Sequence, residues 1–210
     1  MIIAVDGPAA SGKGTIARAL AAHYGLPHMD TGLLYRAVAL NLLRWDGDPG
    51  DEMEALRACD FSQIDFADPE LKSEAAGGIA SRISAFPLVR AALIKRQRDF
   101  ASQPGGAVLD GRDIGTVIAP EAEAKLFVTA RPEERARRRH EELRRMGLDV
   151  HYEDVLIDIR ARDARDSSRD MAPLRMADDA HLLDTSDLGV EAAVAEAVAA
   201  VERRRAAGEQ

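Results

Sequence analysis

The chain has a single cysteine, Cys59, so no internal disulfide can form, and a reducing compartment is the setting this fits. No apolar run approaches the length that spans a bilayer. Met1 leads at once into an apolar strand and a glycine loop, not into the basic, apolar and small-residue series of a secretory signal. Basic charge is also in deficit: 36 acidic residues against 28 lysines and arginines give a net charge of −8. That argues against nonspecific binding of nucleic acid, which needs a basic face to displace counterions from phosphates. No internal repeat is present. The five histidines, His23, His28, His140, His151 and His181, are scattered without a pair at ligand spacing or a cysteine partner, so they read as structural. The expectation is a cytoplasmic protein, a monomer in the simplest case, that engages neither membrane nor nucleic acid.

What is present is a globular composition, 46% hydrophobic and 30% charged over 210 residues, enough for one compact domain with appended mobile pieces. Ile2 to Val5 is an apolar, β-branched run of the kind that forms a buried parallel strand, and a helix is expected from Lys13 to Tyr24. Further strand-like runs lie at Ala107 to Leu109, Lys125 to Thr129 and His181 to Leu183. Helical stretches fall at Pro87 to Ala101, Pro132 to Met146, Tyr152 to Arg165 and Val190 to Arg205. This alternation predicts an α/β fold, a doubly wound parallel sheet of about five strands with helices on both faces. Between Trp45 and Gly78 the pattern weakens, which reads as an irregular insert. The last few residues are the one stretch expected to be disordered.

The segment after the first strand carries chemistry. Gly7, Pro8, Ala9, Ala10, Ser11, Gly12, Lys13, Gly14 and Thr15 have the glycines and lysine of a Walker A loop, with an extra Gly14 before the hydroxyl residue. Glycines let successive N–H groups turn inward onto phosphate oxygens, the following helix adds its positive end, and Lys13 can reach the β and γ phosphates. This predicts a triphosphate site for ATP. It does not separate a kinase from a nucleotide switch.

The acceptor side rests on three constellations expected at the carboxyl edge of the sheet: Asp30 to Arg36, then Asp110 to Asp113, then Arg162 to Arg169. Each joins arginine with carboxylate or hydroxyl. Arginine forks bind phosphate oxygens in pairs, and carboxylates or hydroxyls take the donors of a sugar or base. Together with the stretches VDGPAASGKGT, MDTGLLYRAVAL, SAFPLVRAALIKRQR, LDGRDIGTVIAP and RARDARDSSRDMAPL, in this order, they give the chain a resemblance to the bacterial cytidylate kinases over nearly its whole length. GKGT alone indicates only the wider nucleoside monophosphate kinase group.

The resemblance implies an ATP- and magnesium-dependent transfer to CMP or dCMP, giving CDP or dCDP and ADP in pyrimidine nucleotide metabolism. It places Thr31 near the acceptor, and Arg36, Arg112 and Arg169 on the phosphate of the monophosphate. It assigns Ser81, Arg90 and Asp113 to the cytosine ring and Arg162 and Asp166 to the ribose, with Arg162 also facing the ATP phosphates. The helix bearing Arg135, Arg138 and Arg139 matches a lid that closes over ATP. Lys13, Arg138, Arg139 and Arg162 are then the expected catalytic cations, and Thr15 and Asp110 the candidate magnesium contacts. Tyr35 either stacks on a base or packs in its helix. The expected division is a core of residues 1–30, 102–130 and 170–210, a monophosphate-binding region at 31–101 and lid and arginine helices at 131–169. The chain departs from those family members that carry a long strand-rich insert, since Asp46 to Ala80 is short. Two other readings remain open at this stage: a P-loop kinase for another acceptor such as UMP or a non-nucleotide alcohol, and a nucleotide switch. The second lacks the Asn-Lys-x-Asp tetrad that reads guanine.

Overall fold

The protein is described by a computed structural model covering residues 1–62, 64–169 and 171–208. Asp170, inside the last resembling stretch, and the final two residues lie outside the described residues. Five strands form one sheet: β1 Ile2–Asp6, β2 His28–Asp30, β3 Ala107–Gly111, β4 Ala124–Thr129 and β5 His181–Asp184, in the order β2-β3-β1-β4-β5. β1 runs parallel to both β3 and β4, and β4 parallel to β5. The expected doubly wound α/β fold is therefore what forms.

The order places β1 at the switch point, with β3 on one side and β4 on the other. Loops leaving the carboxyl ends of these strands diverge there and open a crevice. The strand residues explain the layering. Ile3, Val5, Val108, Leu126 and Val128 are buried and pack with Ile16 and Leu20 of α1 (Lys13–Tyr24) and with Ala197 and Val201 of α8 (Val190–Gly208). A strand covered on both faces has no solvent side, which is why β1 reads as a continuous apolar run and not as an alternation.

The chain divides into two compact units, one of Met1–Met29 with Ala101–Gln210 and one of Asp30–Phe100. The first holds the sheet, α1, α8 and the pair α6 (Pro132–Arg145) and α7 (Tyr152–Ser167). In α6 the acids Glu133 and Glu134 occupy the first turn and Arg144 and Arg145 the last, matching the helix dipole at both ends. The pair is joined by Ala136, Leu143, Val155 and Ile159, which cluster with Ala9.

The second unit is helical: α2 (Thr31–Trp45), α3 (Glu52–Arg57), α4 (Glu74–Ile83) and α5 (Pro87–Ala101), with a 3-10 turn at Pro69–Lys72. The stretch that reads as irregular in sequence thus contains α3, the 3-10 turn and the first half of α4. Its elements are short and start on polar caps, Asp51 accepting from Met53 and Glu54, Asp68 from Glu70 and Ser73 from Ala76. Such brief helices supply too few turns for an apolar period to emerge.

Candidate active site

The phosphate loop is shaped by backbone geometry. Gly7 has φ +155°, Ala10 φ 59° and Gly12 φ 90°, so three residues of the loop adopt conformations that L side chains rarely take. At Gly7 a Cβ would stand 2.0 Å from the Val128 carbonyl oxygen, so only glycine lets the loop pass the end of β4. No side chain caps the N-terminus of α1, whose Ncap is Gly12. A helix end without a capping carboxylate or hydroxyl directs its positive dipole end at whatever anion enters the loop.

Asp6, the last residue of β1, ties this loop to the next. It is buried, and its two carboxylate oxygens accept from the N–H groups of Ile114 and Gly115 at 2.8 Å each. Those amides open a π-helical turn, Ile114–Ile118, directly after Arg112 and Asp113. Burial pushes the Asp6 carboxyl up to about 7, against the two N–H donors and Arg112 that pull it down. With a folded value above the unfolded one, this group's stabilising share is complete below pH about 4 and is lost as pH rises through about 7. Denaturant titrations at a series of pH values are expected to show that Asp6→Asn flattens this part of the stability profile. An unchanged slope would remove Asp6 as its source.

Asp110, near the end of β3, is buried and its Oδ1 meets His28 Nε2 at 2.8 Å. Its Oδ2 lies 3.7 Å from where a Cβ on Gly14 would stand, so the carboxylate borders the phosphate loop. His28 is thereby tied to a candidate magnesium contact. Among the described residues no cluster of three or more His, Cys, Asp or Glu suits a metal ion.

Asp166 of α7 gathers two of the arginines singled out in the sequence. Its Oδ2 accepts from Arg112 Nε at 2.9 Å and its Oδ1 from Arg169. Burial alone would raise its carboxyl, but Arg112 and Arg169, with Arg162 nearby, outweigh that and hold it below the usual carboxylate range. The three arginines and Asp166 thus form one basic knot in the first unit. In the second unit Arg36 donates to the carbonyls of Leu71 and Ser73 at 2.8 and 3.0 Å, Arg90 is buried in α5, and Thr31 is buried at the start of α2. Ser81 lies in α4, where its carbonyl accepts from Ser84 Oγ.

The arginines of α6 take separate tasks. Arg135 is 3% exposed and fully committed: Nε donates to Ala130 O, Nη1 to Ala9 O at 3.2 Å, and the fork pairs with Asp163 at 2.9 and 2.5 Å. It acts as a strut between the phosphate loop, α6 and α7. Arg138 and Arg139 instead line a cleft of about 570 Å³ together with Ser11, Gly12, Thr15, Leu188, Val190 and Ala193. Sequence reasoning did not find the wall from Thr185 to Ala193, because nothing in DTSDLGVEAA carries a chemical signature. Only its position after β5, beside the loop after β1, gives it away.

Fold and site together define a P-loop phosphotransferase: a Walker loop at the switch point of a doubly wound sheet, flanked by arginines. Residues 3–203 match the sequence model of the family described as Cytidylate kinase. The chain is 60% identical to the cytidylate kinase of Xanthobacter autotrophicus, covering 98% of this chain and 99% of that one. It is 58% identical to the cytidylate kinase of Methylocella silvestris, covering 96% and 94%. A solved structure of an uncharacterized protein from Eubacterium ventriosum shares the fold, with a TM-score of 0.55 at 18% identity and coverage of 97% and 98%. The chain belongs to the cytidylate kinase family, and its chemistry is phosphoryl transfer from ATP between nucleotides.

Proposed function

We propose that the chain phosphorylates CMP and dCMP on the α-phosphate, with the residues of its first unit divided between donor and acceptor. The Walker loop Gly7 to Thr15 takes the ATP phosphates, and the cleft bounded by Arg139, Leu188, Val190 and Ala193 takes the adenosine. Arg112 and Arg169, fixed by Asp166, hold the acceptor phosphate, and Asp113 reads the exocyclic amino group of cytosine as an acceptor that uracil cannot satisfy. The resemblance adds Thr31, Arg36, Ser81 and Arg90 as acceptor residues in the region 31–101, and Arg162 with Asp166 at the ribose. The observation that carries this reading is the buried carboxylate of Asp166 bonded to two arginines. An anion that holds two guanidinium groups in place preorganises them for a phosphate.

Transfer is in line and direct, without a covalent enzyme intermediate. A phosphate monoester dianion is already a competent nucleophile, so no general base is required. The catalytic work is charge neutralisation by Lys13, Arg138, Arg139 and Arg162 on the moving group. Thr15 and Asp110 offer a hydroxyl and a carboxylate beside the loop, oxygen donors suited to magnesium, which otherwise keeps waters and phosphates as ligands. Bound there, the cation would supply further charge neutralisation on the ATP phosphates. We also read the protein as a cytoplasmic monomer.

The test is diphosphate formation over CMP, dCMP, UMP, AMP and GMP, in the wild type and in Arg169→Ala. CMP and dCMP are expected to lead in the wild type. The variant should raise KM for CMP about ten- to a hundredfold, the loss of a hydrogen-bonded charge, with KM for ATP little changed. A flat panel would refute the cytidine assignment, and equal weakening of both substrates would refute the role of Arg169.

A further inference from the structure

Thr185 follows β5, is 3% exposed, and its backbone N–H donates to Thr129 O at 2.8 Å. Its hydroxyl stands at a junction. Oγ1 is 3.0 Å from the Ser11 carbonyl in the phosphate loop and 3.1 Å from the Thr129 carbonyl at the end of β4. Arg138 Nη1 donates to the same oxygen at 3.0 Å, and Arg138 Nη2 donates to the Thr185 carbonyl at 2.6 Å. Arg138 Nη1 in turn lies 3.9 Å from where a Cβ on Gly12 would stand, so the guanidinium is poised over the phosphate loop. On its other side Nε faces Glu134 at 3.4 Å.

The polarity of this junction follows from elementary bookkeeping of protons. Two of the neighbours of Oγ1 are carbonyls, which can only accept, so its single proton must point to one of them. Its lone pairs are then left for the guanidinium. A hydroxyl is a small side chain that donates to one of these carbonyls and accepts from the arginine at once. Carbonyl and hydroxyl of one residue meet two nitrogens of the fork, which fixes the guanidinium plane as well as its distance.

We infer that Thr185 is a positioning residue for phosphoryl transfer: it holds the Arg138 guanidinium over the phosphate loop before nucleotide arrives. The charge that develops on the moving group then meets a cation needing no reorganisation. This rests on the catalytic role proposed for Arg138. Thr185 touches neither reacting atom and acts through that arginine.

The experiment is a double-mutant cycle on the full chain, with Thr185→Val, Thr185→Ser, Arg138→Ala and the Val and Ala changes combined. Steady-state kinetics are measured for both substrates and thermal melting is followed alongside. Thr185→Val should lower kcat about ten- to a hundredfold, as a cation displaced by about an ångström does, with KM for CMP unchanged. Thr185→Ser keeps the hydroxyl and should restore kcat to near the wild type. In the Arg138→Ala background the same Val substitution should cost nothing further, because the group it positions is gone. A Thr185→Val effect as large in that background as in the wild type would overturn the inference, as would an unchanged kcat. A rise confined to KM for ATP would make Thr185 only a wall of the cleft, and would overturn it too. If Arg138→Ala alone leaves kcat intact, it is the proposed role of Arg138 that fails. Should the valine methyl against two carbonyls unfold the chain, Thr185→Ala, which leaves room for a water there, takes its place in the cycle.

Discussion

Lys13→Ala is expected to lower kcat for CMP about 100- to 1000-fold while the chain stays folded. Lys13 opens α1, where the positive end of the helix and the inward-turned loop amides already favour an anion. These fixed dipoles bind the ATP phosphates in ground and transition state alike, so they contribute mainly to affinity. The ammonium differs because it sits on a flexible stem and can follow the transferred group as negative charge spreads over its oxygens. Its loss should therefore fall on kcat and on kcat/KM together, the pattern of an interaction made chiefly in the transition state. Lys13→Arg should recover little, since a planar fork with fixed donors does not replace a compact point charge in a closed loop. Steady-state kinetics with a melting curve for each variant decide the matter. A decrease in kcat below about tenfold, or a loss carried wholly by KM for ATP, would assign Lys13 to binding only.

How much of this was legible beforehand depended on whether a residue announced itself by type or only by place. The Walker loop announces itself by type, because glycine at two positive-φ positions and a lysine at a helix start are chemical requirements that few other residues meet. The sheet was legible because β1, β3 and β4 are largely buried and carry apolar runs, interrupted only by Lys125 in β4 and by polar residues such as Asp6 and Asp110 toward the strand ends. β2, with His28 and Asp30 in three residues, gave no such signal. α3 was hidden for the same reason, having six residues. Asp6 and Thr185 were invisible for a different one. Each is a common polar residue at a strand end, and its importance lies in bonds to residues more than a hundred positions away, Asp6 to Ile114 and Thr185 to Ser11. Arg135 shows the converse. Its sequence setting, among the arginines of α6, suggests a cation that serves the nucleotide, yet its donors are spent on Ala130, Ala9 and Asp163.

Gly7→Ala and Gly106→Ala make the second large prediction, because they share a steric fault and differ in what stands behind it. At both positions φ is positive, and a Cβ would come within 2.0 Å of a backbone oxygen, Val128 O for Gly7 and Met1 O for Gly106. No rotamer change can relieve a backbone contact, so the chain itself must shift. Behind Gly106 is Met1, at the amino end of β1 and away from the phosphate loop, which can shift at the cost of its bonds to the Gly105 carbonyl and the Ala107 N–H and its approach to Glu123. Behind Gly7 is the buried end of β4, held in the middle of the sheet by pairing to both β1 and β5. Since β4 cannot yield, the phosphate loop must. Gly7→Ala should thus destabilise the chain by about 3 kcal/mol, the upper range for overpacking, and weaken ATP about a hundredfold as loop amides leave their phosphate oxygens. Gly106→Ala should cost stability and leave ATP affinity near the wild-type value. Melting curves and calorimetric ATP titration of the two variants separate the effects. Wild-type ATP affinity in Gly7→Ala would show that the close pass at Val128 is not what shapes the loop, and a matching loss in Gly106→Ala would show that general loosening of the sheet, not displacement of the loop, weakens the nucleotide.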